Sequence, residues 1–167
     1  MRRSRPKCGP AAIEAAWRIH DAQADWTGKV DSKAAFALTV HSALLAVAVV
    51  LFARLEGWLQ FALFGVAAAL LVIGAILAAS VVAPRLRSRG LQQASRTNYV
   101  YFGHARHWRP EELTKRLKRD DMLPQLSRQI VVMADIAWGK HVRVGWAIWL
   151  GVAGGIALLA AAVLSQM

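Results

Sequence analysis

Three stretches of the chain are apolar without interruption: Ala34 to Ala53, Trp58 to Ala83 and Val144 to Leu164, none of them carrying a formally charged side chain. Each reaches the roughly 20 residues that a helix needs to cross the hydrocarbon of a bilayer. Their apolar positions do not alternate with polar ones, as the strands of a membrane barrel would. A helix is then the spanning structure that satisfies its own backbone. The pattern predicts an all-α integral membrane protein with three transmembrane helices, a small helical cytosolic segment between the second and third, and a long continuous C-terminal helix.

The polar stretches have their own periods. From Ala11 onward Ile13, Trp17, His20 and Ala24 recur at helical spacing, and Glu14 with Arg18 and Asp25 with Lys29 place acid before base at i, i+4. Gly28 weakens this helix by about 1 kcal/mol relative to alanine, yet no proline stops it before the first span. The short turn after Ala53 allows only an antiparallel hairpin. Pro84 closes the second span, and Pro110-Glu111-Glu112 is a good helix start with Arg109 as an undistinguished cap. That helix should end among Lys115, Arg116, Lys118 and Arg119, whose cations suit a C-terminus. Asp120, Asp121 and Pro124 restart the chain, and no later proline intervenes, so one helix should run to the C-terminus with Gly139 and Gly145 as its soft points.

Composition sharpens this reading. The chain has 167 residues, 56% of them hydrophobic, and a formal charge of +11. Residues 1–33 hold seven Lys and Arg and residues 84–143 hold thirteen, while the turn between the first two spans holds only Arg54. By the positive-inside rule the N-terminus and the 84–143 segment face the cytoplasm, and the turn and the C-terminus face outward. Topology and anionic lipid then account for most of the basicity, including the Arg85, Arg87 and Arg89 flank, and nucleic-acid binding is the lesser reading. The basic start lacks an apolar core directly after it, so a retained anchor is expected instead of a cleaved signal. The chain divides into a cytosolic basic tail and amphipathic helix over 1–33, a transmembrane hairpin over 34–83 (34–53 and 58–83), a basic helical segment over 84–143 that is the candidate ligand sensor, and a third transmembrane helix with a short external tail over 144–167.

Enzymatic signatures are absent: there is no phosphate-binding glycine loop, no H-E-x-x-H and no nucleophile beside a base. The lone Cys8 has no internal disulfide partner, and His104 with His107 lacks a third ligand nearby, so no metal is expected. A ligand site is easier to assemble. Arg and Lys hold phosphate groups, while aromatic rings stack on bases and amides read their edges. The candidates are Asn98, Tyr101, His104, Arg128 and Gln129, with Arg96, Tyr99 and Arg106 close by in sequence. The plainer alternative makes Tyr99, Phe102 and Trp108 a small core against the long helix.

In the membrane, Thr39, His41 and Ser42 interrupt the first span, and His41 should face protein, as a histidine hydrogen-bonded between helices in preference to a gate or proton relay. Gly65, Ala69, Gly74 and Ala78 of the second span and Ala147, Gly151 and Gly155 of the third are small residues that permit close helix contact. Trp138, Trp146 and Trp149 suit an interfacial belt. At the mouth of the first span Asp31 and Lys33 lie on different faces; Lys33 can reach headgroups, and Asp31 is either hydrated or paired with a basic group of the following polar segment.

Taken in order, Asp31-Ser32-Lys33-Ala34, Tyr101-Phe102-Gly103-His104, Pro110-Glu111-Glu112, Leu126-Ser127-Arg128-Gln129-Ile130 and Lys140 before the last span form a familiar series. It resembles the transmembrane effector family of the bacterial Pycsar anti-phage systems over about residues 13 to 164. Ser32 and the arginine-rich stretch after His104 depart from the family pattern and leave the nucleotide preference open. The resemblance implies a multi-pass protein of the bacterial inner membrane that is not an enzyme and has no cofactor. It would be activated by cyclic UMP or cyclic CMP made by a partner cyclase, and would impair the membrane as a homo-oligomer so that the infected cell stops growing. It also gives Asp31, Lys33, Phe102, Gly103 and Lys140 coupling or structural roles. The alternatives are a membrane-tethered nucleic-acid or plasmid-transfer protein and a structural membrane partner.

Overall fold

The computed structural model describes residues 9–84, 95 and 97–166. Cys8 and the basic residues Arg85, Arg87, Arg89 and Arg96 lie outside the described residues. The described chain is α-helical, without strands. Its helices are α1 (Pro10–Phe52), α2 (Trp58–Val82), α3 (Phe102–Ala105), α4 (Pro110–Leu117) and α5 (Leu123–Leu164). Helices α1, α2 and α5 are long and apolar enough to cross a membrane. α1 continues without a break through Gly28, and α5 through Gly139 and Gly145. The sequence starts fit the observed ones: Pro110 occupies the first turn of α4, and the Asp121 carboxylate accepts the Leu123 N–H (3.1 Å) where α5 begins.

The chain forms two compact units, one of residues 1–26 and 85–137, the other of residues 27–84 and 138–167. The second is the three-span unit, and its packing follows a seam. Buried positions recur at alternating steps of three and four in α2 (Ala67, Leu71, Gly74, Ala78 and Val81) and α5 (Val144, Ala147, Gly151, Gly154, Leu158 and Ala161), and in α1 (Val30, Ala34, Ala37, His41, Ala48 and Leu51) with one full step of seven between His41 and Ala48. A mean step of 3.5 is the heptad spacing of left-handed coiled coils.

The seam is layered. Val30, Ala34, Val81 and Val144 form one cluster, and Ala37, Ala78 and Ala147 the next. Beyond His41 lies a larger cluster of Ala48, Leu51, Leu55, Ala67, Leu71, Leu158 and Ala161. Most of these side chains are small, so backbones approach closely and dispersion contacts hold the helices together where lipid offers no hydrophobic driving force. An alanine Cβ at Gly154 would lie 2.8 Å from Leu71 Cγ, whereas one at Gly155 would meet Leu44 at an ordinary 3.6 Å. Gly154 thus marks the closer approach of α5 to α2, one position away from the Gly155 suggested by the G-x-x-x-G spacing. Gly65 has open space around it.

Both ends of the unit are tied by polar contacts. At one, Lys140 Nζ donates to both oxygens of Asp31 (2.6 and 2.8 Å). At the other, Gln60 Oε1 accepts the N–H groups of Glu56 (3.0 Å) and Gly57 (3.4 Å), and Gln60 Nε2 donates to the Leu164 carbonyl (3.0 Å). One glutamine therefore satisfies donors at the start of α2 and an orphan carbonyl at the end of α5. The outer faces carry Phe36, Val49, Ile73, Trp146, Trp149, Ile156 and Leu159, all exposed. A continuous apolar exterior of this extent suits lipid and not water.

Candidate functional site

The aromatic segment is built on one tight turn. Tyr101 precedes α3 in extended conformation, and its carbonyl accepts the N–H groups of His104 (2.9 Å) and Ala105 (3.0 Å). The Tyr101 ring folds over Gly103, where a Cβ would lie 2.3 Å from Tyr101 Cε1. Only glycine allows that ring position. Tyr101 then meets Phe102 (centroids 4.5 Å) and the edge of His104 (5.3 Å). Four consecutive residues thus form one ring cluster, in which Phe102 remains 64% exposed.

Tyr99 plays a different part. Its N–H donates to Gln125 Oε1 in the first turn of α5 (3.2 Å), and its ring stands perpendicular to Trp108 (6.1 Å, 89°). Trp108 Nε1 in turn donates to the Asn98 carbonyl (3.1 Å). Tyr99 is 6% exposed, while its hydroxyl lacks a hydrogen-bond partner among the described residues. Burial pushes the phenol above its ordinary range, Asp120 and then Asp121 adding to the shift against Arg116. Asp120 is itself paired with Arg116. Tyr99 and Trp108 therefore supply the small core that the sequence allowed, and the exposed Phe102 does not join it.

His104 is half-buried, and its imidazole is held below the ordinary range by burial and, secondarily, by His107. Arg106 Nε donates to His107 Nε2 (3.2 Å). No set of three His, Cys, Asp or Glu side chains among the described residues stands close enough to hold a metal ion.

The ligand candidates fall into two groups. Tyr101 and His104 touch; Asn98 contributes its carbonyl to Trp108 beside them in sequence. Arg128 is exposed and Gln129 half-buried on α5, and neither makes a recorded ring contact or hydrogen bond to Tyr101 or His104. Gln125, one turn earlier, makes the connection between α5 and the aromatic segment, a role that a glutamine beside a proline does not announce in sequence. In the three-span unit Asp31 pairs with Lys140, while Lys33 is exposed on another face. Two of the five positions assigned coupling or structural roles thus meet across 109 residues of chain.

His41 is the most unusual side chain of the three-span unit. It is 1% exposed. Its Nδ1 lies 2.6 Å from the carbonyl of Ala37, one turn back on its own helix. Nε2 has no hydrogen-bond partner among the described residues. The interhelical hydrogen bond expected from sequence is replaced by an intrahelical one, because the groups facing the ring from α2 and α5 are glycines with no side chain to offer.

A family model for the Pycsar effector protein domain matches residues 15–165, nearly the whole chain and both units. The chain belongs to the Pycsar effector family. It is a transmembrane effector of an anti-phage system. No curated protein and no solved structure matches it. Asp31, the Tyr101 to His104 turn and Lys140 all lie within the matched residues.

Proposed function

We propose that this Pycsar effector is a non-enzymatic protein of the bacterial inner membrane that is activated by a cyclic pyrimidine mononucleotide, cyclic UMP or cyclic CMP, made by a partner cyclase. The observation that carries the reading is the family match, which takes in a three-helix unit whose apolar runs carry no charge and an aromatic, basic polar unit in one domain. The first has no chemistry to perform other than to hold or breach a bilayer. The second has what a nucleotide needs: rings to stack on, and cations for a phosphate.

In this reading the 84–143 segment is the cytosolic sensor, the N-terminus is cytoplasmic and the C-terminus external. Tyr101 and His104 offer their ring faces to the base, Asn98 and Gln129 offer amides to its edge, and Arg128 meets the phosphate. Phe102 and Gly103 fix the Tyr101 ring. Binding drives a change only if the nucleotide prefers the active state over the resting one, and a few kcal/mol of preference is enough. In the active state copies assemble, the membrane loses integrity, and the infected cell stops growing.

Direct binding tests the sensor. Full-length protein in nanodiscs should bind cyclic UMP or cyclic CMP in preference to cyclic AMP. Tyr101→Ala and Arg128→Ala should each lower affinity at least tenfold while leaving membrane insertion unchanged. Binding that is equal in both variants would displace the site from this turn.

A further inference from the structure

The centre of the three-span unit holds a polar group where an apolar one would fit better. The His41 ring sits in a notch formed by two glycines of two different helices. A Cβ at Gly74 of α2 would lie 2.2 Å from Nε2 and 2.8 Å from Cδ2, and a Cβ at Gly151 of α5 would lie 2.9 Å from Cε1 and 3.0 Å from Nε2. Neither position can carry a side chain unless the ring leaves. The ring is thus a wedge, gripped from both sides in the seam that joins all three helices.

The wedge is chemically uncomfortable. With Nδ1 engaged by the Ala37 carbonyl, that nitrogen carries the proton, and Nε2 is left as a lone-pair acceptor. It faces two glycine Cα groups and no donor. Around it the three spans carry no formal charge, and the adjoining layers are alanine and leucine. An apolar residue would keep the same three-helix contact without burying an unpaired acceptor. A core selected only to stay closed has no use for this imidazole. A core selected also to open has, because water reaching the seam satisfies Nε2 in the open arrangement alone.

The geometry points to His41 as the gate of the three-span unit: the imidazole wedged between Gly74 and Gly151 closes the resting helices, and the same imidazole faces water when they part. The two glycines set the closed position, since they are what the ring fits. This inference rests on the proposed breach of the membrane for its biological use, but it makes a separate statement about where the unit opens.

Diethyl pyrocarbonate, which acylates water-exposed unprotonated imidazole nitrogen, reads Nε2 directly when modified histidines of the full chain in proteoliposomes are mapped by mass spectrometry. The exposed His107 serves as the reference. In the resting protein His41 should be modified at least tenfold more slowly than His107. Addition of cyclic UMP or cyclic CMP should bring His41 to within a fewfold of the reference. Gly74→Ala, which leaves no space for the ring, should expose His41 without any nucleotide. His41→Leu should insert and remain helical, yet release entrapped dye at least tenfold more slowly than the wild type under nucleotide. Dye release with His41 protected throughout, or unchanged release from His41→Leu, overturns the gate and leaves the membrane-breach reading standing. Exposure of His41 by nucleotide without dye release supports the gate and rejects the breach. Protection of His41 in folded Gly74→Ala overturns the wedge itself.

Discussion

The two units of this chain keep order by opposite means. The three-span unit relies on backbones brought close by alanine and glycine, with polar ties at its ends and one unsatisfied polar group at its centre. The polar unit relies on a few large rings, Tyr99, Trp108 and the Tyr101 cluster, each fixed by a single hydrogen bond or a glycine beneath it. In the first, adding one methyl group should be the harmful change; in the second, removing a ring or a donor should be. That contrast follows from the solvent. Lipid gives helices no hydrophobic reason to associate, so contact distance decides, whereas water rewards the burial of a tyrosine or a tryptophan.

The sharpest way to break the contrast is to add a methyl group along the seam. Gly154→Ala places a Cβ 2.8 Å from Leu71 Cγ and 3.3 Å from the Ala67 carbonyl, and should destabilise the three-span unit by about 1–3 kcal/mol. Gly65→Ala meets open space and should change stability by less than about 0.5 kcal/mol. Unfolding in mixed micelles measures both; equal effects would mean that close approach is not what holds the helices.

A smaller effect is expected at the polar tie. Lys140→Ala leaves the Asp31 carboxylate, partly shielded from solvent, without its ammonium. A loss of about 1–2 kcal/mol should follow, below that of a fully buried pair. A double-mutant cycle with Asp31→Ala isolates the coupling, and a coupling near zero would reduce the pair to a surface contact.

In the polar unit Trp108→Phe keeps a ring against Tyr99 but removes the donor to the Asn98 carbonyl. A cost of about 1 kcal/mol is expected, visible as faster amide exchange around Asn98 and Gln125 with no change in the spans. Uniform acceleration across both units would contradict their separate energetics.

The smallest effects are pH-dependent and confined to the same unit. His104 is held below its ordinary range, so the unfolded chain binds the proton first, and stability of the polar unit should fall as pH drops below about 6.5. Tyr99 is pushed the other way, so the unfolded chain loses its proton first and stability should fall as pH rises past about 10. His104→Gln and Tyr99→Phe should each flatten one side of that profile in amide exchange.

Much of this was legible in the sequence, and the gaps have physical causes. The charge-free runs located α1, α2 and α5 because a bilayer excludes charge, and Pro110 and Asp121 marked helix starts by rules of backbone geometry. The heptad seam was hidden. Lipid-facing positions are as apolar as core ones, so hydropathy shows no period, and the signal lies in small residues such as Ala37, Ala78, Gly151 and Gly154. The wedge was hidden for another reason: His41, Gly74 and Gly151 lie 33 and 77 residues apart along the chain, and their fit exists only in three dimensions. Tyr99 and Gln125 likewise meet across 26 residues, whereas the Tyr101–Gly103 contact is local and belongs to the motif that a sequence reading singles out.

The central claim is that a nucleotide sensed by the polar unit makes the three-span unit breach a membrane. Release of an entrapped dye from proteoliposomes of the purified full chain measures it most directly. The account predicts slow release alone and at least a tenfold acceleration by cyclic UMP or cyclic CMP, lost in Arg128→Ala. Release that neither nucleotide changes would contradict it.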